Sequence, residues 1–195
     1  MKINQLSENY IRSNNDFCKL SSDDRLVYLR NIIENVQCLI TAISWHQSQI
    51  YNSQSFIDIY TDLYGQNLVN IIQQIIKFID SDIIINKLIL SLFAFSNHLS
   101  IFNSSMNINS FNTLAIFHIQ NIYTEIIWKY FLHKFGYNQS IQRFNKLIQG
   151  LITATTRISQ AQNIERHINE IISLVEQTEI SIVLDDLERN DENKI

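Results

Sequence analysis

The stretch from Asn35 to Ile50 contains no Asp, Glu, Lys or Arg, and it continues a helical pattern that starts near Ser21. Two apolar stripes run side by side through this pattern. The first stripe contains Leu26, Leu29, Ile33, Val36, Ile40 and Ile43, and the second contains Tyr28, Ile32, Leu39 and Ala42. A helix that is apolar on more than one side is buried on more than one side. We therefore expect the second half of this helix to lie in the middle of a layered helical domain.

The start of this central helix carries a capping signal and several charges. Ser21 precedes Asp23 and Asp24, so a hydroxyl and negative charge lie where a helix has unpaired N–H groups and the positive end of its dipole. Arg25 and Arg30 follow within the first turns. We expect these charged turns to reach the surface.

The composition restricts the chain to helices. Its 195 residues include no proline and only three glycines, and helical periodicity covers most of the length. A chain of this length with 46% hydrophobic residues is long enough for one core and too short for two comfortable domains. We predict a single all-α domain over residues 1–195 with an acidic, flexible tail at 189–195.

Charge and cysteine content argue against several classes of protein. The net charge is −4 and the basic residues are scattered, which argues against direct binding of nucleic acid. The N-terminus lacks the apolar core of a signal peptide, and Lys87 interrupts the most apolar segment, Ile83 to Phe102, which we interpret as a buried helix rather than a membrane span. Cys18 and Cys38 have no close Cys partner, which is typical of reducing surroundings.

The sequence contains no motif for enzyme chemistry. No nucleophile elbow, phosphate-binding glycine loop or paired-carboxylate helix motif is present. The five histidines form no i, i+4 pair and have no neighbouring Cys, so no metal site is expected. We predict neither an enzyme nor a cofactor.

The remaining periodicity predicts five further helical segments. They are Lys2–Leu20, Phe56–Asp80 with a break near Gly65, Ile83–Phe102 capped by Ser81 or Asp82, Phe111–Phe135 ended by Gly136, and Ser140 to about Val175 with a bend at the polar run 153–162. A short amphipathic piece, Glu179–Glu188, is expected to follow them.

Part of the sequence resembles a known family. The residues Phe17, Leu20, Asp24, Arg25, Leu29 and Arg30 reproduce the spacing of the signature shared by nuclear receptor ligand-binding domains. Three later segments, Lys87–Ser96, Ile119–Phe131 and Arg143–Leu151, are similar to family helices in the same order. The resemblance covers about residues 9–188. We expect the family's first helix and its zinc-finger DNA-binding module to have no counterpart, because the chain starts close to the signature and two cysteines cannot hold two zinc ions.

The resemblance implies a fold and a function. The fold is a three-layer antiparallel helical sandwich that encloses an apolar pocket. The function is transcription regulation in the nucleus, with the cytoplasm as the alternative, through an apolar or lipid-like ligand and a coregulator helix. Such a helix docks in a groove between two basic residues and an acidic final helix. The groove residues implied here are Arg12, Arg30, Val183, Leu184, Asp186 and Leu187.

Two further sets of residues follow from the same resemblance. Candidate ligand-pocket residues are Leu6, Tyr10, Leu39, Ile43, Ile72 and Ile164, and candidate residues of a homodimer or heterodimer interface are Phe144, Leu147, Leu151 and Ile158. Apolar residues at helical spacing usually form core, and the two arginines are otherwise ordinary surface charges. The alternative is a helical interaction module without a pocket, which dimerises through Ser140 to Val175.

Overall fold

A computed structural model describes residues 3–96, 113–161 and 163–192 of the chain. The helices are α1 (Ile3–Ser13), α2 (Asn15–Cys18), α3 (Ser22–Ser48), α4 (Gln54–Tyr64), α5 (Gln66–Ile76), α6 (Ile83–Ala94), α7 (Thr113–Ala161) and α8 (Glu165–Glu192), with a single 3-10 turn at Ile50–Asn52. No strand occurs in these ranges. The all-α class is therefore confirmed for the described residues.

Helix α3 is the centre around which the other helices pack. It contacts α1, α5, α6, α7 and α8, and every residue from Ile32 to Ala42 is buried. The predicted central position of its second half is thus confirmed. The helix is long and apolar enough to cross a membrane, but 72% of its most apolar window is buried inside the protein, as in the core helix of a soluble fold. One prediction was wrong, because Arg25 is only 6% exposed.

Side-chain caps define the starts of α3 and α6, as the sequence predicts. The Ser21 hydroxyl accepts a hydrogen bond from the backbone N–H of Asp24 at 3.1 Å. Asp82 accepts one from the N–H of Ile84 at 2.8 Å. Each cap satisfies a backbone donor that has no partner within its helix.

Other helix boundaries differ from the predictions. The predicted helix Lys2–Leu20 is divided at Asn14, whose side-chain oxygen accepts bonds from the N–H groups of Asp16 and Phe17, both at 3.0 Å. The predicted bend before Val175 is a break between α7 and α8. Glu179–Glu188 is not a separate piece, because it continues α8, which also includes residues 189–192 of the predicted tail. Residues 193–195 and the predicted helix start at Phe111 lie outside the described residues.

Helix α7 changes direction at Gly136. This glycine has φ 72° and ψ 173°, a conformation that a residue with a side chain rarely adopts. On one side of it Lys134 pairs with Asp82, and on the other Arg143 pairs with Asp80 at 3.0 Å. The hydrogen bonds from Lys134 and Tyr130 lower the pKa of Asp82 to about 2. Both halves of α7 are therefore attached to the turn between α5 and α6.

Candidate functional site

Three arginines and three acids face each other where the end of α8 crosses α1 and the start of α3. Arg12 lies near the end of α1, and Arg25 and Arg30 lie in the first turns of α3. Opposite them, α8 places Glu179, Asp185 and Asp186 on one face. We call these six residues the arginine seam. Each arginine binds a different acid, so the seam fixes both the position and the rotation of the end of α8.

In two of the pairs, the arginine binds both oxygens of the carboxylate. Arg12 donates from Nε and Nη2 to the two oxygens of Asp185 at 2.9 and 2.6 Å. Arg30 donates from Nε and Nη2 to the two oxygens of Glu179 at 2.6 and 3.2 Å. These hydrogen bonds raise the pKa of both arginines above the ordinary value. Bidentate pairs are the strongest and most directional form of this contact.

The third pair is incomplete. Arg25 donates from Nη2 to Asp186, and from Nη1 to the carbonyl oxygen of Cys18 at 3.1 Å. Asp186 also accepts a bond from the Ser22 hydroxyl at 3.0 Å. The Nε of Arg25, however, is buried and has no hydrogen-bond partner. The side chain of Arg25 is only 8% exposed, so this group cannot turn freely to water.

A single apolar side chain of α8 lies at the centre of the seam. Ile182 is 4% exposed and borders a cavity of about 10 Å³ together with Phe17 and Cys18. Such a volume has room for at most about one water molecule. The end of α8 therefore fits closely against α1 and α3.

The structure brings together part of the predicted coregulator groove. Arg12, Arg30 and Asp186 all lie in the arginine seam. The apolar members of the prediction point away from it, because Val183, Leu184 and Leu187 are 47%, 54% and 57% exposed. In this conformation the end of α8 fills the surface between the arginines, and its apolar outer face meets solvent.

Sequence reasoning missed four members of this site, namely Arg25, Glu179, Ile182 and Asp185. A usable signal was present in their spacing. Glu179, Ile182, Asp185 and Asp186 lie at intervals of three, three and one, which places them on one face of a continuous helix. The predicted boundary at Glu179 divides this face from the helix before it, although the structure shows one continuous helix.

The predicted ligand-pocket residues lie in different surroundings. Leu39 and Ile72 are buried in the core, and Leu6, Ile43 and Ile164 are partly buried against it. Tyr10 borders a polar cleft of about 500 Å³ that Asp16, Lys87 and Tyr123 also line. Its hydroxyl donates to Ser91 at 2.9 Å, and burial raises the pKa of this phenol to about 12. The pocket stays a prediction.

The predicted dimer residues lie in the second half of α7. Leu147 and Ile158 are buried, whereas Phe144 and Leu151 are partly buried against the core. The neighbouring Ile141, Ile148 and Ile152 are 39%, 39% and 62% exposed. Ile148 and Ile152 each follow a predicted residue by one position, and with Ile141 they form an exposed apolar row beside the predicted set.

A buried polar pair joins α8 to the middle of α3. His167 Nε2 lies 3.1 Å from Glu34 Oε1, and the two side chains are 7% and 3% exposed. Burial, and to a smaller extent the charge of Glu34, raises the pKa of the nearby Cys38 thiol well above its usual value. This pair fixes the first half of α8 independently of the arginine seam.

Comparisons with known proteins assign no family to the chain. No family model matches it, and no curated protein or solved structure matches it significantly.

Proposed function

We propose that this chain is a divergent nuclear receptor ligand-binding domain that binds an apolar small molecule and the helix of a coregulator. The proposal includes a three-layer helical sandwich with α3 in its middle layer, and a role in transcription regulation in the nucleus. The observation that carries it is the arginine seam. The two basic residues that the resemblance assigns to the groove, Arg12 and Arg30, each hold an acid of a helix laid across them.

The end of α8 occupies the proposed groove in this conformation. A coregulator helix would bind after that segment has moved aside, and Arg12 and Arg30 would then be free to contact it. Arg12 now contacts Asp185 on the C-terminal side of Ile182, so a helix in the same orientation brings its carbonyl end toward Arg12, where positive charge complements the helix dipole. Only Ile182 is buried between Glu179 and Glu188, so little apolar contact opposes the exchange.

The proposed ligand is held mainly by burial of apolar surface. Burial contributes about 25 cal/mol for each Å² of apolar surface removed from water. The candidate lining residues come from α1, α3, α5 and the residue before α8, namely Leu6, Tyr10, Leu39, Ile43, Ile72 and Ile164. Tyr10 and Ser91 already share a hydrogen bond, so a polar group of the ligand has a hydroxyl pair to meet near one end.

The groove is tested by the variant Arg30→Glu. We expect it to weaken binding of a leucine-rich LxxLL peptide by about tenfold, or about 1.4 kcal/mol, because it replaces one of the arginines that line the groove with a negative charge. Fluorescence anisotropy with a labelled peptide measures the change. Glu179→Gln should act in the opposite direction, since it weakens the resident contact and leaves Arg30 in place.

The matched control is Arg157→Glu, which reverses an exposed arginine on α7. It should leave peptide affinity unchanged. Equal affinities for Arg30→Glu and the natural chain, with circular dichroism showing both folded, would remove Arg30 from the groove.

Native mass spectrometry of the purified chain tests the ligand. We expect a mass above 22.9 kDa by that of one small molecule, which dissociates on collisional activation. A competing function is a dimerisation module without a pocket, and the exposed row Ile141, Ile148 and Ile152 on α7 favours it. That function predicts a doubled mass without added ligand. A bare monomer would contradict both expectations.

A further inference from the structure

The acids on the end of α8 indicate which kind of helix fits the groove. Around the buried Ile182, acids occur three residues before it, three after it and four after it. These positions share one helix face, and each acid reaches a different arginine. The three arginines come from two helices, α1 and α3, so the spacing between them belongs to the groove and not to α8. Any helix with the same arrangement of acids meets the same three cations.

The resident segment leaves one donor of the groove unused. Arg12 and Arg30 each engage a carboxylate through Nε and Nη2, whereas Arg25 engages Asp186 through Nη2 alone. The Nε of Arg25 is buried without a partner, in a side chain that is 8% exposed. Asp186 divides its bonded oxygen between Arg25 and Ser22. A carboxylate on a side chain one methylene longer can bond Nε and Nη2 together, as Asp185 and Glu179 do at Arg12 and Arg30.

We propose that the groove binds an acidic amphipathic helix of a partner protein, with an apolar anchor, acids at −3 and +3, and glutamate at +4. This inference rests on the proposed function, because it names the kind of coregulator helix that the groove accepts. The anchor replaces Ile182, and the acids meet Arg30, Arg12 and Arg25 in that order. The charges of the groove select this helix over one that offers leucines alone.

The end of α8 is suited to being replaced. Its outer residues Ile180, Val183, Leu184 and Leu187 are exposed, and Ile182 is the one buried residue between Glu179 and Glu188, so the segment itself gives up little buried apolar surface on release. The first half of α8 stays attached through His167 and the buried Ile171 and Leu174. A partner helix therefore competes with the end of α8, which carries the same pattern of acids. Because this segment belongs to the same chain, its effective concentration at the groove is high.

The test uses the full chain and labelled peptides in fluorescence anisotropy. The probe has the sequence of residues 176–188 with Asp186→Glu. We expect the chain to bind it about tenfold more tightly than the same peptide with all its acids at positions 179, 185 and 186 changed to amides. The chain variant Asp186→Ala, whose resident segment is weakened, should bind the probe more tightly than the control variant Glu188→Ala. Raising the salt concentration should weaken binding.

Two comparisons separate this inference from the proposed function. A neutral LxxLL peptide that binds as well as the acidic probe would overturn the acid preference and leave the groove in place. Failure of both peptides to bind, including to the Asp186→Ala chain, would overturn the groove as well. Equal affinity for peptides with aspartate and glutamate at +4 would remove Arg25 Nε from recognition. A concentration-dependent dimer that the probe does not dissolve would identify a second copy of the chain as the occupant and overturn the proposal.

Discussion

Replacing Phe93 with alanine is expected to lower the free energy of unfolding by about 3–5 kcal/mol. Phe93 lies in α6 and is 0% exposed. Its helix packs against both α3 and α7, and the lost ring leaves a cavity in the buried core. The cost combines the lost transfer of the ring from water with the lost contacts around the cavity. Urea denaturation followed by circular dichroism measures it.

The matched control for Phe93 is Ile84→Ala on the same helix. Ile84 is 49% exposed, and its replacement should change stability by less than about 0.5 kcal/mol. The urea dependence of the free energy should be the same in both variants, because neither changes the surface exposed on unfolding very much. Similar losses in the two variants would contradict the inward position of Phe93 and the outward position of Ile84.

The second large effect is expected from Asp186→Ala. This change removes the carboxylate that faces the buried guanidinium of Arg25 and leaves that group with the Cys18 carbonyl and Ser22 hydroxyl as partners. Hydrogen bonds to charged groups contribute about 1.5–3 kcal/mol. We expect a loss of this size to be local, because the first half of α8 has its own buried contacts. Amide hydrogen exchange should accelerate over residues 179–188 and change little over 165–178.

Glu188→Ala provides the comparison for Asp186→Ala. It removes the same charge two residues later on the same helix, from a side chain that is exposed. Exchange in that variant should match the natural chain. If the two variants accelerate exchange equally, the effect comes from net charge or helix propensity and not from the arginine seam.

Features that local chemistry controls were predictable from the sequence. Ser21 caps α3 because a hydroxyl before two aspartates satisfies nearby N–H groups in almost any context. Gly136 marks the change of direction in α7 because a positive φ favours glycine. The burial of α3 followed from two adjacent apolar stripes. Each of these conclusions needed only a short window of sequence.

Arg25 was predicted at the surface because its neighbours Asp23 and Asp24 are charged and begin a helix. Its burial depends on Asp186, which lies 161 residues away along the chain. Contacts across such a separation leave no local pattern, and a charged residue is seldom buried unless it is paired. Only the fold brings Arg25 and Asp186 together, so the membership of Arg25 in the arginine seam could be seen only in the structure.

The predicted break before the end of α8 was wrong for a different reason. No glycine or proline separates Val175 from Glu188, so nothing in the local chemistry ends the helix. The predicted boundary at Glu179 rests on the amphipathic pattern and acidic end of Glu179–Glu188, and neither of these ends a helix. With the helix continuous, Ile182 and the three acids face inward, while Val183 and Leu184 face solvent. Their role in a coregulator groove stays a prediction for a conformation in which this segment has moved.

The bend in α7 is held by ion pairs on both sides of Gly136. Lys134 and Arg143 stand on opposite arms of the bend and are anchored to the same turn, at Asp82 and Asp80, across 52 and 63 residues of chain. Because both arms are bonded to the same turn, the angle between them is restricted even though the residue at the bend is a glycine. Gly136 can adopt more backbone conformations than other residue types, and these two ion pairs restrict the angle between the two arms that meet at it.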